Sequence, residues 1–155
     1  MRRGRAGVVA VLVVVLVTAL ATLTWAHGRD PFRANELGTR LTGRQEVPKV
    51  PTKGRGRVEL DFFQPASGDG FACYQLRVSR LEADVVAGHI HEGRRGVNGP
   101  VVVDLMPKVR RGWTENCVKA PPDLLADILA RPGGYYVNVH TDVYPDGEVR
   151  GQLHR

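Results

Sequence analysis

Cysteine is nearly missing from this chain. Of 155 residues only Cys73 and Cys117 are cysteines, and they are not spaced as Cys-x-x-Cys, so a thioredoxin-type redox motif is excluded. Aromatic residues are also scarce, at 6%. With few rings to stack on bases, and with Lys and Arg scattered among Asp and Glu, nucleic-acid binding has no support. The formal charge of +6 does not change this. Arg2, Arg3 and Arg5 precede a long apolar run, and without them 19 basic residues face 16 acidic ones, an excess of +3. No serine or cysteine beside an obvious base stands out as a nucleophile, and no carboxylate pair can be assigned to a cleft. Hydrolytic chemistry therefore gains nothing from the sequence. The glycine-rich stretch Gly93-Arg-Arg-Gly-Val-Asn-Gly-Pro100 leads into Val101-Val-Val rather than into a helix, which removes the context a phosphate-cradling loop requires. Tight turns and close backbone approach account for its glycines.

The start of the chain is rich where the rest is poor. After Met1-Arg-Arg-Gly-Arg5, no charged residue occurs from Ala6 to Ala26. A run of this length matches the roughly 20 residues a membrane-spanning helix needs, and it also has the basic n-region and apolar h-region of a secretory signal. Ala19-Leu-Ala21 and Thr24-Trp-Ala26 both offer small-residue cleavage sites. Residues 1–26 are thus expected to be a hydrophobic helix, either a signal peptide or a transmembrane anchor, and both readings stay open. A buried core helix apolar on every side would need a larger protein around it. With arginines ahead of the run, the rest of the chain is expected outside the cytoplasm, membrane-anchored or secreted. No cysteine near the end of the run is available to carry a lipid. In an oxidising compartment Cys73 and Cys117 are expected to form a structural disulfide. An unstrained bridge over a loop of this length stabilises a fold by about 3–4 kcal/mol.

Residues 27–38 read as a polar linker and 39–155 as one domain. Arg57-Val-Glu-Leu-Asp-Phe62 alternates strictly, placing Val58, Leu60 and Phe62 on one face. Phe71 to Leu81 resumes as a strand with Tyr74, Leu76 and Val78 inward, after the turn cluster Gln64-Pro-Ala-Ser-Gly-Asp-Gly70. Val85 to His91 and the buried-looking run Val101-Val-Val-Asp-Leu105 follow. One segment changes period: in Pro121 to Arg131, Leu124 with Ile128 and Leu125 with Leu129 recur at i, i+4, Asp123 suits a first turn, and Pro132-Gly-Gly134 stops the helix. Tyr135 to His140, a turn at Tyr144-Pro-Asp-Gly147, and Glu148 to Leu153 form a hairpin. The expected fold is mainly β: an antiparallel, Greek-key-like β-sandwich with one short helix near 121–131.

Two phrases carry the chemistry, Ala87-Gly-His-Ile-His-Glu-Gly93 and Tyr135-Tyr-Val-Asn-Val-His-Thr141. Strand alternation puts His89 and His91 on one face and Tyr136, Asn138 and His140 on one face of the second phrase. Brought together, His89, His91 and His140 make an imidazole set suited to copper or zinc. Such ligands need their second nitrogens oriented, and Glu92, Asp142 or Asn138 are candidates. The alternative is that the three imidazoles hydrogen-bond across paired strands and fix their register. For Asp104 and Arg150, an ion pair or a cross-strand hydrogen bond is expected.

Leu41-Thr-Gly-Arg-Gln-Glu-Val-Pro48, Ala87 to Gly93, Asn98-Gly-Pro-Val-Val-Val-Asp-Leu105, Tyr136-Val-Asn-Val-His-Thr141 and Gly147-Glu-Val-Arg-Gly-Gln-Leu153 resemble, in order, the motifs of the CHRD domain, named after chordin. The resemblance covers nearly all of the chain after the N-terminal segment. It implies a secreted or surface-displayed β-sandwich that acts as a non-enzymatic binding or structural module toward an extracellular or cell-surface partner. The cysteine-rich modules that bind growth factors in chordin-like proteins are not in this sequence, so a growth-factor antagonist role is not implied. Gly88-His-Ile-His-Glu92 is also similar to the copper strand of copper/zinc superoxide dismutase. No candidate for that enzyme's bridging histidine and no zinc loop follow, so dismutase activity is not expected.

Overall fold

The structure is a computed structural model and describes residues 35–64 and 68–155. The hydrophobic segment expected over 1–26 and most of the linker lie outside the described residues, as do 65–67 of the turn cluster. Among the described residues no helix is long and apolar enough to cross a membrane.

Eight strands form: β1 (Glu36–Thr42), β2 (Arg55–Phe63), β3 (Gly70–Ser79), β4 (Val85–Glu92), β5 (Val101–Asp104), β6 (Trp113–Ala120), β7 (Tyr135–Thr141) and β8 (Val149–Gln152), with helix α1 (Pro122–Ala130) between β6 and β7. All neighbouring pairs run antiparallel in the order β5-β4-β7-β8-β1-β2-β3-β6. The expectation of two separate packed sheets is corrected here. One sheet runs unbroken through all eight strands and curls into a nearly closed barrel. It closes toward itself where Tyr74 Oη on β3, next to the terminal strand β6, donates to the Leu105 carbonyl just past β5, at 2.9 Å. The division into two layers survives as two four-stranded halves. They share a narrow seam, Thr42 opposite Arg150 and a single bridge from Gly38 to His154.

Alternation explains the interior. Val58, Leu60 and Phe62 of β2, Ala72, Tyr74 and Leu76 of β3, Ile90 of β4, and Val137 and Val139 of β7 all enter one core. Leu125 and Ile128 of α1 close it, each buried completely. Burying a side chain of this size contributes about 1.5–3 kcal/mol. The helix begins at Pro122, where the missing N–H costs nothing. It ends ahead of Pro132, as the sequence indicates. Arg131 is anchored by the carboxylates of Asp127 and Glu92, and Tyr135 Oη donates to Asp127.

Three features differ from the sequence reading. β1 opens at Glu36, inside the stretch read as a connector. β6 lacks a clean apolar alternation, with only Thr114, Val118 and Ala120 buried, and it forms because β3 offers it an edge. The Val101-Val-Val run is not uniformly buried: Val101 is 48% exposed and Val103 4%, because a register shift sets Val103 opposite the core residue Ile90 and Val101 opposite His91. Cys73 and Cys117 face each other directly across β3 and β6 and are joined in a disulfide.

Candidate functional site

The barrel has a second, polar interior. On β4, β7 and β8 the residues opposite the core set stand in register across the sheet. Asp104, His89, Asn138 and Arg150 form one row. His91, Tyr136 and Gln152 form the next, and Ala87 pairs with His140. A face of this kind ordinarily meets water, yet His91, Tyr136, Asn138, His140, Arg150 and Gln152 are all buried. The loop over 93–100 covers His91, Tyr136, Arg150 and Gln152, and the turn at Pro145 meets His140. Arg150, only 1% exposed, donates through Nη1 to Asn98 Oδ1 at 3.0 Å and through Nη2 to the Val97 carbonyl at 2.8 Å. Its guanidinium carbon lies 3.2 Å from the Tyr136 ring centroid. Gln152 Nε2 donates to the Gly93 carbonyl at 2.7 Å. Gly99 must lack a side chain for the loop to seat, since a Cβ there would meet the Glu92 carbonyl at 1.6 Å.

Within this face the three histidines converge. One nitrogen from each of His89, His91 and His140 lies within 4.8 Å of the others. Their remaining nitrogens identify the tautomers, because a carbonyl can only accept. His140 Nδ1 donates to the Pro145 carbonyl at 2.8 Å, and His91 Nδ1 donates to the Gly99 carbonyl at 2.9 Å. A neutral His91 therefore keeps its lone pair on Nε2. His91 Nε2 is buried with no hydrogen-bond partner. His140 Nε2 lies 3.0 Å from His89 Nδ1 and 2.9 Å from Asn138 Oδ1, so that acceptors stand against both of its nitrogens. On the far side of His89, Nε2 is 3.9 Å from Asp104 Oδ1. His89 is the most open of the three, its side chain 20% exposed. The site faces outward on that side.

The electrostatics favour the neutral forms of His89 and His91. Burial holds His89 below the ordinary imidazole range, the neighbouring His140 adds to this, and Asp104 opposes it. Burial likewise lowers His91, against the pull of its bond to Gly99. Neutral imidazoles with their second nitrogens held by carbonyls or a carboxylate are the usual dress of metal ligands. Among the described residues the cluster holds no fourth histidine.

The orienting partners differ from the sequence-based candidates. Glu92 is engaged with Arg131 instead. Asp142 is exposed, and Asn138 touches His140 at Nε2, whereas the Pro145 carbonyl holds its Nδ1. Backbone carbonyls of two loops take that role, and no residue pattern announces a carbonyl. Asp104 and Arg150 lie in one row but do not pair, because His89 and Asn138 stand between them. Glu46 was not singled out by sequence, yet it is 6% exposed and its Oε1 has no hydrogen-bond partner. Burial pushes its carboxyl up to about 7, with Arg150 opposing the rise. Gly147, at φ 122°, leaves room for it: a Cβ there would lie 2.7 Å from both Glu46 Oε1 and Asn138 Nδ2.

A family model described as the CHRD domain covers residues 37–153. No curated protein and no solved structure matches the chain.

Proposed function

The chain belongs to the CHRD domain family, and from that premise we propose that it is an exported, non-enzymatic binding module at the cell surface whose polar face holds one copper or zinc ion. The observation that carries the metal reading is the unpartnered, buried Nε2 of His91, turned toward His89 and His140 while its own Nδ1 is committed to Gly99. A buried polar atom without a partner costs about 1–3 kcal/mol, and a metal ion would remove that cost. The residues fit such an ion: three neutral imidazoles are a donor set both metals accept. His91 and His140 would ligate through Nε2. His89 would ligate through Nδ1 with its proton held on Nε2, on the side of Asp104. The ion would supply a fixed positive charge that locks β4 to β7. The export reading is supported by Arg2, Arg3 and Arg5 ahead of the apolar run and by the disulfide between Cys73 and Cys117.

The test is metal content. The full chain, purified in non-ionic detergent and equilibrated with micromolar copper or zinc, is expected to retain one ion per chain by mass spectrometry of the metal. His89→Ala/His91→Ala is expected to retain none. Equal retention by that variant, or none by the wild type, overturns the metal reading and leaves the imidazoles as cross-strand hydrogen-bonding groups. Export is read separately: protease added to intact cells is expected to digest the domain, and full protection overturns that part.

A further inference from the structure

The outer face of the β1-β2-β3 half carries a row of like charge that the fold does not require. Arg40 on β1 lies opposite Arg57 on β2, and Arg57 lies opposite Arg77 on β3. All three are exposed, and the row ends at Trp113 of β6, paired with Arg77 and 38% exposed. Like charges set directly across a ladder repel and destabilise it. Arg57 is offset by Glu59 on its own strand at 2.8 Å. Among the described residues, the ion pairs include neither Arg40 nor Arg77.

The row opens into a groove of about 920 Å³, which Arg40 and Arg57 line from the sheet and Arg95 lines from the covering loop. One glutamine ties these walls together: Arg95 Nη1 donates to Gln45 Oε1 at 3.3 Å, and Gln45 Nε2 donates to the Arg40 carbonyl at 3.0 Å. Acidic groups of the same face gather toward its other end. Glu36 faces Asp61 there, and the Asp61 carboxyl is pushed up by burial and by Glu36 and Glu59. The face is thus segregated by sign along the strands and uniform in sign across them.

We propose that this arginine row, whose Arg40 and Arg57 open into the groove, binds a linear anionic carbohydrate, one bearing a carboxylate on each sugar, laid across the strands with carboxylates on Arg40, Arg57 and Arg77. Neighbouring strands lie about 4.7–4.9 Å apart, so the guanidinium groups recur at a short, fixed period. A polymer with closely spaced anions can engage several of these guanidinium groups at once, whereas a single small anion uses one arginine at a time. Guanidinium forks engage carboxylates through two parallel hydrogen bonds. Trp113 at the end of the row offers a flat apolar surface to a sugar ring. This proposal is independent of the metal reading, since none of its residues touches the histidine cluster.

Binding of oligogalacturonate to the full chain in non-ionic detergent, measured by calorimetry, tests it. Affinity is expected to fall about tenfold for each of Arg40→Gln, Arg57→Gln and Arg77→Gln, the size of one partly solvated charge-assisted contact. Arg57→Lys is expected to fall by a smaller factor, since it keeps the charge and loses the fork. Lys53→Gln/Lys108→Gln/Lys119→Gln removes three charges from residues outside both the row and the groove, more than any single arginine variant removes, and is expected to bind as the wild type does. Thermal melts of Arg40→Gln and Arg77→Gln are expected at or above the wild-type temperature, because each removes a repulsion across the ladder. Equal weakening by the lysine triple variant would reduce the effect to net charge and overturn the proposal. So would monomeric galacturonate binding as tightly per carboxylate, or tighter, arginine-dependent binding to phosphatidylglycerol vesicles.

Discussion

The two halves of the barrel present outer faces built by the same alternation and treated in opposite ways. On β4, β7 and β8 the outward side chains are His91, Tyr136, Asn138, His140, Arg150 and Gln152, and all are buried. On β1, β2 and β3 they include Arg40, Arg57, Asp61, Gln75 and Arg77, and all are exposed. Strand geometry does not distinguish the two. The loop over 93–100 does, because it lays carbonyls against one face and leaves the other open. A polar residue under that loop is a structural commitment, whereas the same residue type on the open face is a solvated charge with little effect on stability.

The largest effect that sharpens this contrast is expected at Arg150. Arg150→Met removes the donor to Asn98, Val97 and Arg94 and leaves Glu46 buried without the cation beside it. Breaking a buried ionic network from one side costs on the order of 3–5 kcal/mol. Urea unfolding of Arg150→Met is expected to show a loss of that size, and a loss below about 1 kcal/mol would mean that the covered face does not hold together as a unit.

Glu46 comes next, and its effect depends on pH. Its carboxyl is raised from 4.5 to about 7 in the fold, so the native state holds the proton more tightly than the unfolded chain does. The stability this contributes is complete below pH 4.5 and is lost as pH climbs through about 7. Wild type is therefore expected to lose on the order of 3 kcal/mol relative to Glu46→Gln across that window. Parallel stability-pH curves for the two proteins would show that Glu46 is ionised in the fold at neutral pH.

The smallest effect belongs to the open face. Arg40→Gln and Arg77→Gln are expected to change unfolding free energy by no more than about 0.5 kcal/mol, in the stabilising direction. A destabilisation comparable to that of Arg150→Met would erase the distinction between the two halves.

Much of this was legible residue by residue. The strict alternation of Arg57 to Phe62 places Val58, Leu60 and Phe62 in the core as expected, and the helix over Pro122–Ala130 sits within the segment whose period changes. His89 and His91 share a face with Asn138 and His140 because side-chain direction repeats every two residues whatever the fold. Other features left no such mark. Glu148, Arg150 and Gln152 alternate with Val149, Gly151 and Leu153 and read as a wet face, yet all three are buried. Glu148 is enclosed completely and accepts from Thr52 at 2.7 Å, Thr141 at 2.8 Å and the Glu82 amide at 3.0 Å. Those partners are far from it in sequence, except Thr141.

What the sequence determined by itself is everything local. It determined which side chains share a strand face, where the helix stops, which two cysteines are available to pair, and the motif order that identifies the family. Only the tertiary structure decided that eight strands join in one curled sheet, that the imidazoles of β4 and β7 meet, and that one polar face is roofed while its counterpart is open. The physical reason is range. Alternation and capping act between neighbours along the chain, whereas burial of a polar face depends on where a distant loop comes to rest. The carbonyls that orient His91 and His140 come from backbone, which every residue carries and no residue type signals.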